Sequence, residues 1–130
     1  MRSEVELGLP REPIAPALAG AAVAAMGLGL PEAAMADVEL LTSEVVSNAV
    51  KHANLNPSGE IILRVVTDGY VRVEVMDPGP PFEAGPRKPD SGSGGWGLLL
   101  VDAVATSWGV APEGGGKKVW FEVGTRRSSI

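Results

Sequence analysis

Glu44 and Asn48 form a pair whose residue types and spacing suggest chemistry. A spacing of four places two side chains one turn apart on the same face of an α-helix. An asparagine oxygen at such a place suits a magnesium ion, and a carboxylate beside it suits a general base. The same two residues are also typical of the polar margin of an amphipathic helix, next to Leu41 and Val45. The pair alone leaves both interpretations open.

A second candidate is the Asp77-Pro78-Gly79 segment at the end of a valine-rich stretch. With the period of two of a β-strand, Asp77 shares a face with the valines at positions 71, 73 and 75. A carboxylate on such a face is costly unless a group donates a hydrogen bond to it, and the amino group of adenine is one such donor. Gly79 would let a flat ring approach the backbone closely. These are also ordinary turn residues, so a plain turn is the alternative.

A third candidate is the glycine-rich stretch Gly94-Gly95-Trp96-Gly97-Leu98, which opens a predicted helix. Exposed backbone amides and the helix dipole both favour an anion such as phosphate at this place. A flexible loop that ends in a helix start is the alternative, because a lone glycine cluster is weak as a motif.

The three candidates lie on a predicted order of strand, two helices, hairpin, long loop, helix and hairpin. Helical spacing of apolar residues defines the helices, and alternation defines the strands. The Asp68-Gly69 dipeptide predicts a tight turn in the first hairpin. The predicted elements are strand 3–9, helices 15–26 and 31–53, strands 60–67 and 70–77, loop 78–95, helix 97–106, a short strand around Val110, and strand 117–123. The buried stripe predicted for the second helix comprises Val38, Leu41, Val45, Ala49 and Ala53.

This order predicts an α/β two-layer sandwich. Strand pairs joined by short turns imply a mixed, mostly antiparallel sheet with the three helices on one face. A length of 130 residues suits one core, so residues 1–130 are interpreted as a single domain with a flexible tail at 126–130.

Composition narrows the classes of function. With 11 basic and 16 acidic side chains the net charge is −5, which gives no electrostatic reason to expect nucleic acid or an anionic membrane as the partner. The absence of cysteine excludes disulfides, thiolate nucleophiles and cysteine zinc sites. The most apolar stretch, 14–30, is interrupted by proline and glycine and lacks a cationic start, so neither a transmembrane helix nor a signal peptide is predicted. These features predict a cytoplasmic protein.

Taken in order, the candidate segments resemble the nucleotide site of the GHKL superfamily of ATPases and kinases, which share the Bergerat ATP-binding fold. The resemblance rests on LLTSEVVSNAVKHA, VMDPGPPF and GGWGLLLVDAVATSWGV. The opening GLPREP and the closing GKKVWFEV are similar to the anti-sigma-factor serine/threonine kinases common in actinobacteria. The resemblance covers nearly the whole chain, and its motifs are specific in combination.

The resemblance implies ATP and Mg²⁺ as cofactors and assigns roles to residues of this chain. Asn48 would coordinate the magnesium that bridges the ATP phosphates, and Glu44 would act as general base toward a substrate serine. Asp77 would accept a hydrogen bond from the adenine amino group. Phosphoryl transfer needs mainly positioning and charge neutralisation, so a metal ligand, a base and amide donors form a sufficient minimal set.

The other residues that the resemblance implies surround the nucleotide. Lys51 and His52 would line its phosphate and ribose side, while Gly79 and Pro81 would shape the adenine pocket. The segment 78–95 would be the ATP lid. The hinge that follows the lid and holds the phosphates would consist of Gly95, Trp96, Gly97 and Leu98. His52, the only histidine, is interpreted as a packed or ligand-lining side chain rather than a phosphoacceptor.

One residue departs from the pattern of the family. A threonine that supports the adenine-binding aspartate is usual where this chain has Lys118, and a lysine cannot accept a hydrogen bond. Weaker adenine binding, or a contact between Lys118 and a phosphate, would follow.

The leading hypothesis from the sequence is a serine/threonine protein kinase that acts as an anti-sigma regulator. It would sequester a sigma factor in one state and phosphorylate an antagonist (anti-anti-sigma) protein in another, and it would form a homodimer as relatives often do. The second hypothesis is a sequestering module of the same fold that transfers no phosphate. A third, the detached catalytic domain of a sensor histidine kinase, is disfavoured because no helix pair with a phosphoacceptor histidine precedes the ATP motifs.

Overall fold

The computed structural model describes residues 2–52, 60–78 and 95–123. Five strands and three helices lie in these ranges. In chain order they are β1 (Ser3–Leu9), α1 (Ala15–Ala25), α2 (Glu32–His52), β2 (Ile61–Thr67), β3 (Val71–Asp77), α3 (Gly95–Val104), β4 (Ser107–Glu113) and β5 (Gly116–Val123). Apart from its first and last residues, the predicted lid lies outside the described residues, as does the predicted tail.

The five strands form one sheet in the order β1-β2-β3-β5-β4. All four pairings are antiparallel. The predicted α/β fold is confirmed, and the sheet is antiparallel rather than mixed within the described strands. β3 and β5 are neighbours although α3 and β4 separate them in sequence, so the end of β3 lies beside the start of β5.

The core lies between one face of the sheet and the helices. α2 packs against β2, β3 and β5, and both α1 and α3 pack against α2. All three helices contribute buried side chains to the same cluster, which confirms their position on one face. The residues of the three central strands that alternation buries on this face are Ile61, Leu63, Val65, Val71, Val73, Val75, Val119, Phe121 and Val123.

α2 carries the first candidate pair, and its buried stripe sets its rotation. Ala53 of the predicted stripe lies outside the described residues, and the other four residues are buried. With this stripe against the sheet, the residues at its edge face the neighbouring helices. No helix in the described ranges is long and apolar enough to span a lipid bilayer.

The first hairpin has a three-residue turn instead of the predicted two-residue turn. Thr67 pairs directly with Val71, so Tyr70 belongs to the turn and not to β3. Gly69 adopts the left-handed conformation with a φ of 79°, which glycine reaches without steric strain. The Asp-Gly dipeptide therefore predicted the position of the turn correctly, but the turn is one residue longer than predicted.

The α3–β4 segment also differs from the prediction. α3 begins at Gly95 and ends at Val104. It ends two residues early because the N–H of Thr106 donates to the carbonyl oxygen of Glu122 in β5, at 2.8 Å. β4 is a strand of seven residues rather than a short one, because each of its residues has a partner in β5.

The face of the sheet opposite the helices carries a network of charges, and we call it the outer face. Glu74 in β3 is 6% exposed and accepts hydrogen bonds from Arg64 Nη1 at 2.8 Å and from Arg72 Nε at 2.9 Å. Arg72 also donates to Glu122 at 2.9 Å, and its guanidinium lies 4.0 Å from the centre of the Trp120 ring. Three strands are therefore linked through shared charged groups.

The charged neighbours of Glu74 on the outer face lower the pKa of its carboxyl group. Burial alone would raise the pKa of this carboxyl group, but the hydrogen bond from Arg72 and the positive charges of Lys118, Arg64 and Arg72 outweigh burial. The pKa of Glu74 is therefore lowered below its ordinary value, and the carboxylate stays ionised at neutral pH.

Candidate active site

Glu44 lies on the side of α2 that faces α3. It is half-buried and lines a cavity of about 440 Å³ together with Leu99, Leu100 and Ala103 of α3. Asn48 lies one helical turn further along the same face and is 9% exposed. The carboxylate and the amide predicted from the sequence thus share one helix face, and the carboxylate borders a cavity.

The side-chain amide of Asn48 has an unmet hydrogen bond. Its Nδ2 atom is buried and has no partner among the described residues. Leaving such a group unpaired costs about 1–3 kcal/mol, so an unpaired buried amide needs an explanation, and a ligand is one. The oxygen and nitrogen of an amide are distinguished only by their hydrogen bonds, so Asn48 can equally present its oxygen to a cation. Asn48 fits the role of a magnesium ligand.

A metal cage made of protein side chains is not found in the described ranges. No group of three or more His, Asp or Glu side chains there is placed to hold a metal ion. Magnesium usually takes one or two protein ligands together with phosphate oxygens and water. Asn48 therefore suits a magnesium ion that arrives with a nucleotide better than a permanently bound metal.

Asp77 ends β3 on the buried face of the sheet, as the alternation predicts. It is 6% exposed, and its Oδ1 atom accepts a hydrogen bond from Nζ of Lys117 at 2.9 Å. Lys117 is the residue of β5 that pairs with Asp77 across the ladder. The sequence suggested a ligand amino group as the donor to this carboxylate, whereas the structure supplies a lysine of the chain.

The sequence analysis placed at position 118 the residue that usually supports the aspartate, but the residue that pairs with Asp77 is Lys117. Side chains alternate along β5, so Lys117 shares the buried face and Lys118 lies on the outer face. Nζ of Lys118 is 3.8 Å from a carboxylate oxygen of Glu74 and 3.8 Å from one of Glu113. The lysine that contacts Asp77 is therefore Lys117.

Lys117 and Gly116 are the site residues that sequence reasoning missed. Strand alternation counted back from the buried Phe121 places Lys117 on the buried face, but lysine is rarely buried, so its residue type argues against this position. A Cβ atom on Gly116 would collide with the carbonyl oxygen of Asp77 and with Cα of Pro78. Glycine thus lets β5 begin directly beside the end of β3, and the run of three glycines at 114–116 was the available signal.

The other predicted site residues are described in part. Lys51 is exposed in the last turn of α2, and His52 is the last residue of that helix. Gly79 and Pro81 lie outside the described residues. The stretch 95–98 (Gly95, Trp96, Gly97 and Leu98) forms the first turn of α3 rather than a loop before it. The backbone N–H groups of a first helical turn have no partner within the helix and lie at the positive end of its dipole, so this turn suits an anion.

A comparison with models of protein families identifies the family to which this chain belongs. Residues 10–123 match the family model described as the histidine kinase-like ATPase domain. The chain belongs to this family. The match includes α2, β3 and the first turn of α3, which are the elements that carry the three candidate motifs of this histidine kinase-like ATPase domain.

Two relatives are similar to this histidine kinase-like ATPase domain over more than half of its length. The serine-protein kinase RsbW of Oceanobacillus iheyensis is 31% identical, over 59% of this chain and 58% of that protein. An uncharacterized protein of Streptomyces coelicolor is 34% identical, over 62% of this chain and 78% of that protein. The chain therefore spans less than two thirds of the kinase that it matches.

Two solved structures share the fold of this histidine kinase-like ATPase domain. The RsbU and RsbW domains of Rv1364c from Mycobacterium tuberculosis match 98% of this chain with a TM-score of 0.69 and 21% identity. The histidine kinase domain of a blue-light activated histidine kinase from Erythrobacter litoralis matches 73% of it with a TM-score of 0.54 and 27% identity. The matched parts are 34% and 46% of those chains. The first match, at its low identity, shows a common fold.

Proposed function

We propose that this chain binds ATP with Mg²⁺ and transfers the γ-phosphoryl group to a serine or threonine hydroxyl of a partner protein. The observation that carries the proposal is the pair of Glu44 and Asn48, one turn apart on α2, with Glu44 lining the cavity against α3. Membership of the histidine kinase-like ATPase family and 31% identity to a serine-protein kinase support the same chemistry.

Three parts of the chain would hold the nucleotide. The Oδ1 atom of Asn48 would coordinate Mg²⁺, Asp77 would accept a hydrogen bond from the adenine amino group, and the turn at 95–98 would donate backbone N–H groups to the phosphates. Mg²⁺ supplies charge neutralisation at the phosphate oxygens when it is bound. The remaining assigned residues around the nucleotide are Lys51, His52, Gly79 and Pro81.

Glu44 would act on the incoming hydroxyl group. Its carboxylate would take the proton of the serine Oγ while this oxygen forms a bond to the γ-phosphorus. The bond between the γ-phosphorus and the bridging oxygen would break, and ADP would leave with the electron pair. General-base assistance of this kind contributes about 10²–10⁴-fold in rate.

The biological role that we propose is that of an anti-sigma regulator in a partner-switching pathway. The chain would bind a sigma factor in one state and phosphorylate an antagonist protein in the other, and it would act as a homodimer. The similarity to RsbW and the opening and closing motifs of the chain support this role.

Replacement of Glu44 by glutamine tests the proposed transfer. Wild-type protein incubated with γ-labelled ATP, Mg²⁺ and an extract of its host cells should place label on serine or threonine of another protein. Glu44→Gln should lose at least about 100-fold of this activity while it still binds ATP. Glu39→Gln, a matched change elsewhere on α2, should behave like wild type. Equal labelling by Glu44→Gln and wild type would contradict the assigned role.

A second function is favoured by the ion pair of Lys117 and Asp77. Because the proposed acceptor for adenine already holds a lysine, a sequestering module that works without phosphoryl transfer is consistent with this site. The two functions differ in one outcome. A sequestering module would bind its partner equally with and without ATP, and it would leave serine and threonine unlabelled.

A further inference from the structure

β1 forms the edge of the sheet on the side of α1. It pairs with β2 on one side, and no described strand pairs with its other side. The unpaired side of an edge strand presents backbone N–H and C=O groups to which a further strand can bind. The opposite edge, β4, is less suited to such pairing, because Pro112 has no N–H group to donate. β1 contains no proline, so its whole length can accept a partner strand.

Exposed apolar side chains are concentrated near this edge. Four large apolar side chains are exposed in the described ranges: Val5 (45%), Ile14 (52%), Leu18 (43%) and Leu40 (43%). Val5 alternates with the buried Leu9 along β1, so it lies on the helix-facing side of the strand. Its side chain is left uncovered because β1 is the last described strand at this end of the sheet.

The flank of α1 that borders this edge carries Ile14 and Leu18. α1 contacts β1 and α2, whereas α3 contacts β4, so α1 covers the β1 end of the sheet. The side of α1 toward α2 is marked by Pro16, whose carbonyl oxygen accepts a hydrogen bond from Ser43 Oγ at 3.4 Å. A separation of two residues places Ile14 and Leu18 on the opposite side of the helix from Pro16, toward the edge. We call the open edge of β1, together with Val5, Ile14 and Leu18, the β1 surface.

The outer side of the same strand is acidic. Glu4 and Glu6 lie on the outer face, with side chains 44% and 52% exposed. Both contact Arg64, at 3.3 and 3.1 Å, but its guanidinium also lies 2.8 Å from the buried carboxylate of Glu74. Arg2 lies 3.5 Å from Glu4, and its side chain is 59% exposed. Arg64 therefore serves three carboxylates, and the two at the edge remain accessible to a further cation.

We propose that the β1 surface binds an extended segment of another protein in which basic residues alternate with apolar residues. The segment would add a strand beside β1. Because side chains alternate along a strand, its apolar side chains would pack against Val5, Ile14 and Leu18, and its basic side chains would lie opposite Glu4 and Glu6. This interaction does not depend on the proposed function, because it involves neither α3 nor the β3–β5 ladder.

A second copy of this chain fits the β1 surface less well. A twofold antiparallel pairing of two β1 strands centred on Val5 would place Glu4 of one copy opposite Glu6 of the other. A pairing centred on Glu6 would place the two Glu6 side chains opposite each other. Like charges directly opposite each other destabilise a strand pair. The glutamates therefore disfavour an identical strand and favour a basic one.

Binding of a labelled peptide of alternating lysine and valine, measured by fluorescence anisotropy without nucleotide, tests the inference. We expect the peptide to bind, and we expect at least about tenfold weaker binding when glutamate replaces lysine in it. Because no nucleotide is present, a failure of the proposed kinase activity would not alter this result. Absence of binding at millimolar peptide, or equal binding of both peptides, would overturn the inference.

Two pairs of variants test whether the peptide binds at the β1 surface. Leu18→Gln should weaken binding about tenfold, because an apolar contact is lost. Its matched control is Leu40→Gln, since Leu40 is equally exposed but lies on α2, and this variant should bind like wild type. Glu6→Gln should weaken binding about two- to fivefold, whereas Glu32→Gln, an exposed change at the start of α2, should not.

Equal effects within either pair of variants would contradict the inference, because they would show that the peptide binds without regard to the β1 surface. Sedimentation of the same variants tests the alternative occupant. A dimer of this chain that Leu18→Gln dissociates and Leu40→Gln preserves would assign the β1 surface to a second copy and would likewise overturn the proposal.

Discussion

The two faces of the sheet hold their charged residues in different ways. On the buried face, Lys117 and Asp77 meet under the helices with almost no exposure to solvent. On the outer face, Arg64 and Arg72 share Glu74, and the arginine side chains remain 27% and 23% exposed. Lys117 and Lys118 are adjacent in sequence, yet each belongs to a different face.

This difference separates the position where a base is proposed to bind from a charge network that links strands. A network with partly exposed members keeps most of its contacts when one charge is removed, whereas a buried pair leaves an uncompensated charge. The partly exposed charges of the outer face therefore add small increments to stability, whereas their shared acceptor, Glu74, is itself buried. The buried pair concentrates a large electrostatic effect at the one place where a base is proposed to bind.

Loss of Lys117 should have the largest effect on stability. Lys117→Met leaves Asp77 buried without its ammonium partner, and we expect it to lower the free energy of unfolding by about 3–5 kcal/mol. Lys118→Met should cost less than about 1 kcal/mol, because the bridges of Lys118 are long and partly exposed. Urea unfolding of both variants measures the contrast. Similar losses in the two variants would show that the faces do not differ in this way.

Glu74 should give the next largest effect, as the shared acceptor of the outer face. Glu74→Gln removes the charge that two arginines contact, and we expect a loss of about 1–3 kcal/mol in the free energy of unfolding. Glu6→Gln is the matched control, since Glu6 contacts Arg64 at 3.1 Å but its side chain is 52% exposed. The control should lose less than about 1 kcal/mol. An equal loss in Glu6→Gln would show that burial of Glu74 does not increase its contribution to the free energy of unfolding.

The lowered pKa of Glu74 predicts how its contribution depends on pH. Because the folded state holds this pKa below the unfolded value, the stabilisation is fully present above the unfolded pKa and is lost as pH falls through the folded pKa. The stability difference between wild type and Glu74→Gln should therefore be constant near neutral pH and shrink in acid. Thermal unfolding of both proteins across the acidic range tests this. A difference that grew in acid would contradict the sign of the shift.

The stacking of Arg72 on Trp120 should give the smallest effect. Trp120→Leu removes the cation–π contact at 4.0 Å, and we expect a loss of about 0.5–1 kcal/mol on this account. The double variant with Arg72→Gln isolates the term, because the two losses should not add if the contact is real. Strictly additive losses would show that the ring and the guanidinium act separately.

Local patterns predicted α2 and the central strands well. The stripe of α2 and the valine alternation of β3 are signals of burial that need no knowledge of distant residues. The Glu44–Asn48 pair and the buried position of Asp77 followed from the same periodicities. These parts of the fold and of the site were therefore accessible from the sequence.

The features that depend on distant partners were not accessible in this way. β4 contains Gly109 and Pro112 and shows little alternation, and it is a strand because β5 pairs with it. The residue of β5 that supports Asp77 was placed at position 118, which lies on the outer face, because the register between β3 and β5 follows from a pairing across forty residues. Propensity also argued against a buried lysine. Lys117 was therefore missed for two reasons: lysine is rarely buried, and the pairing that places it beside Asp77 joins residues that are distant in sequence.

Magnesium-dependent ATP binding to the wild type and to Asn48→Ala, measured by calorimetry, tests the central proposal most directly. Wild-type protein should bind ATP with magnesium and more weakly with a chelator present, and Asn48→Ala should lose the magnesium-dependent part of the affinity. Ser47→Ala, the same kind of truncation one residue away on α2, should retain it. Absence of ATP binding by the wild type at millimolar ATP, or magnesium-dependent binding that Asn48→Ala leaves unchanged, would contradict the proposed site.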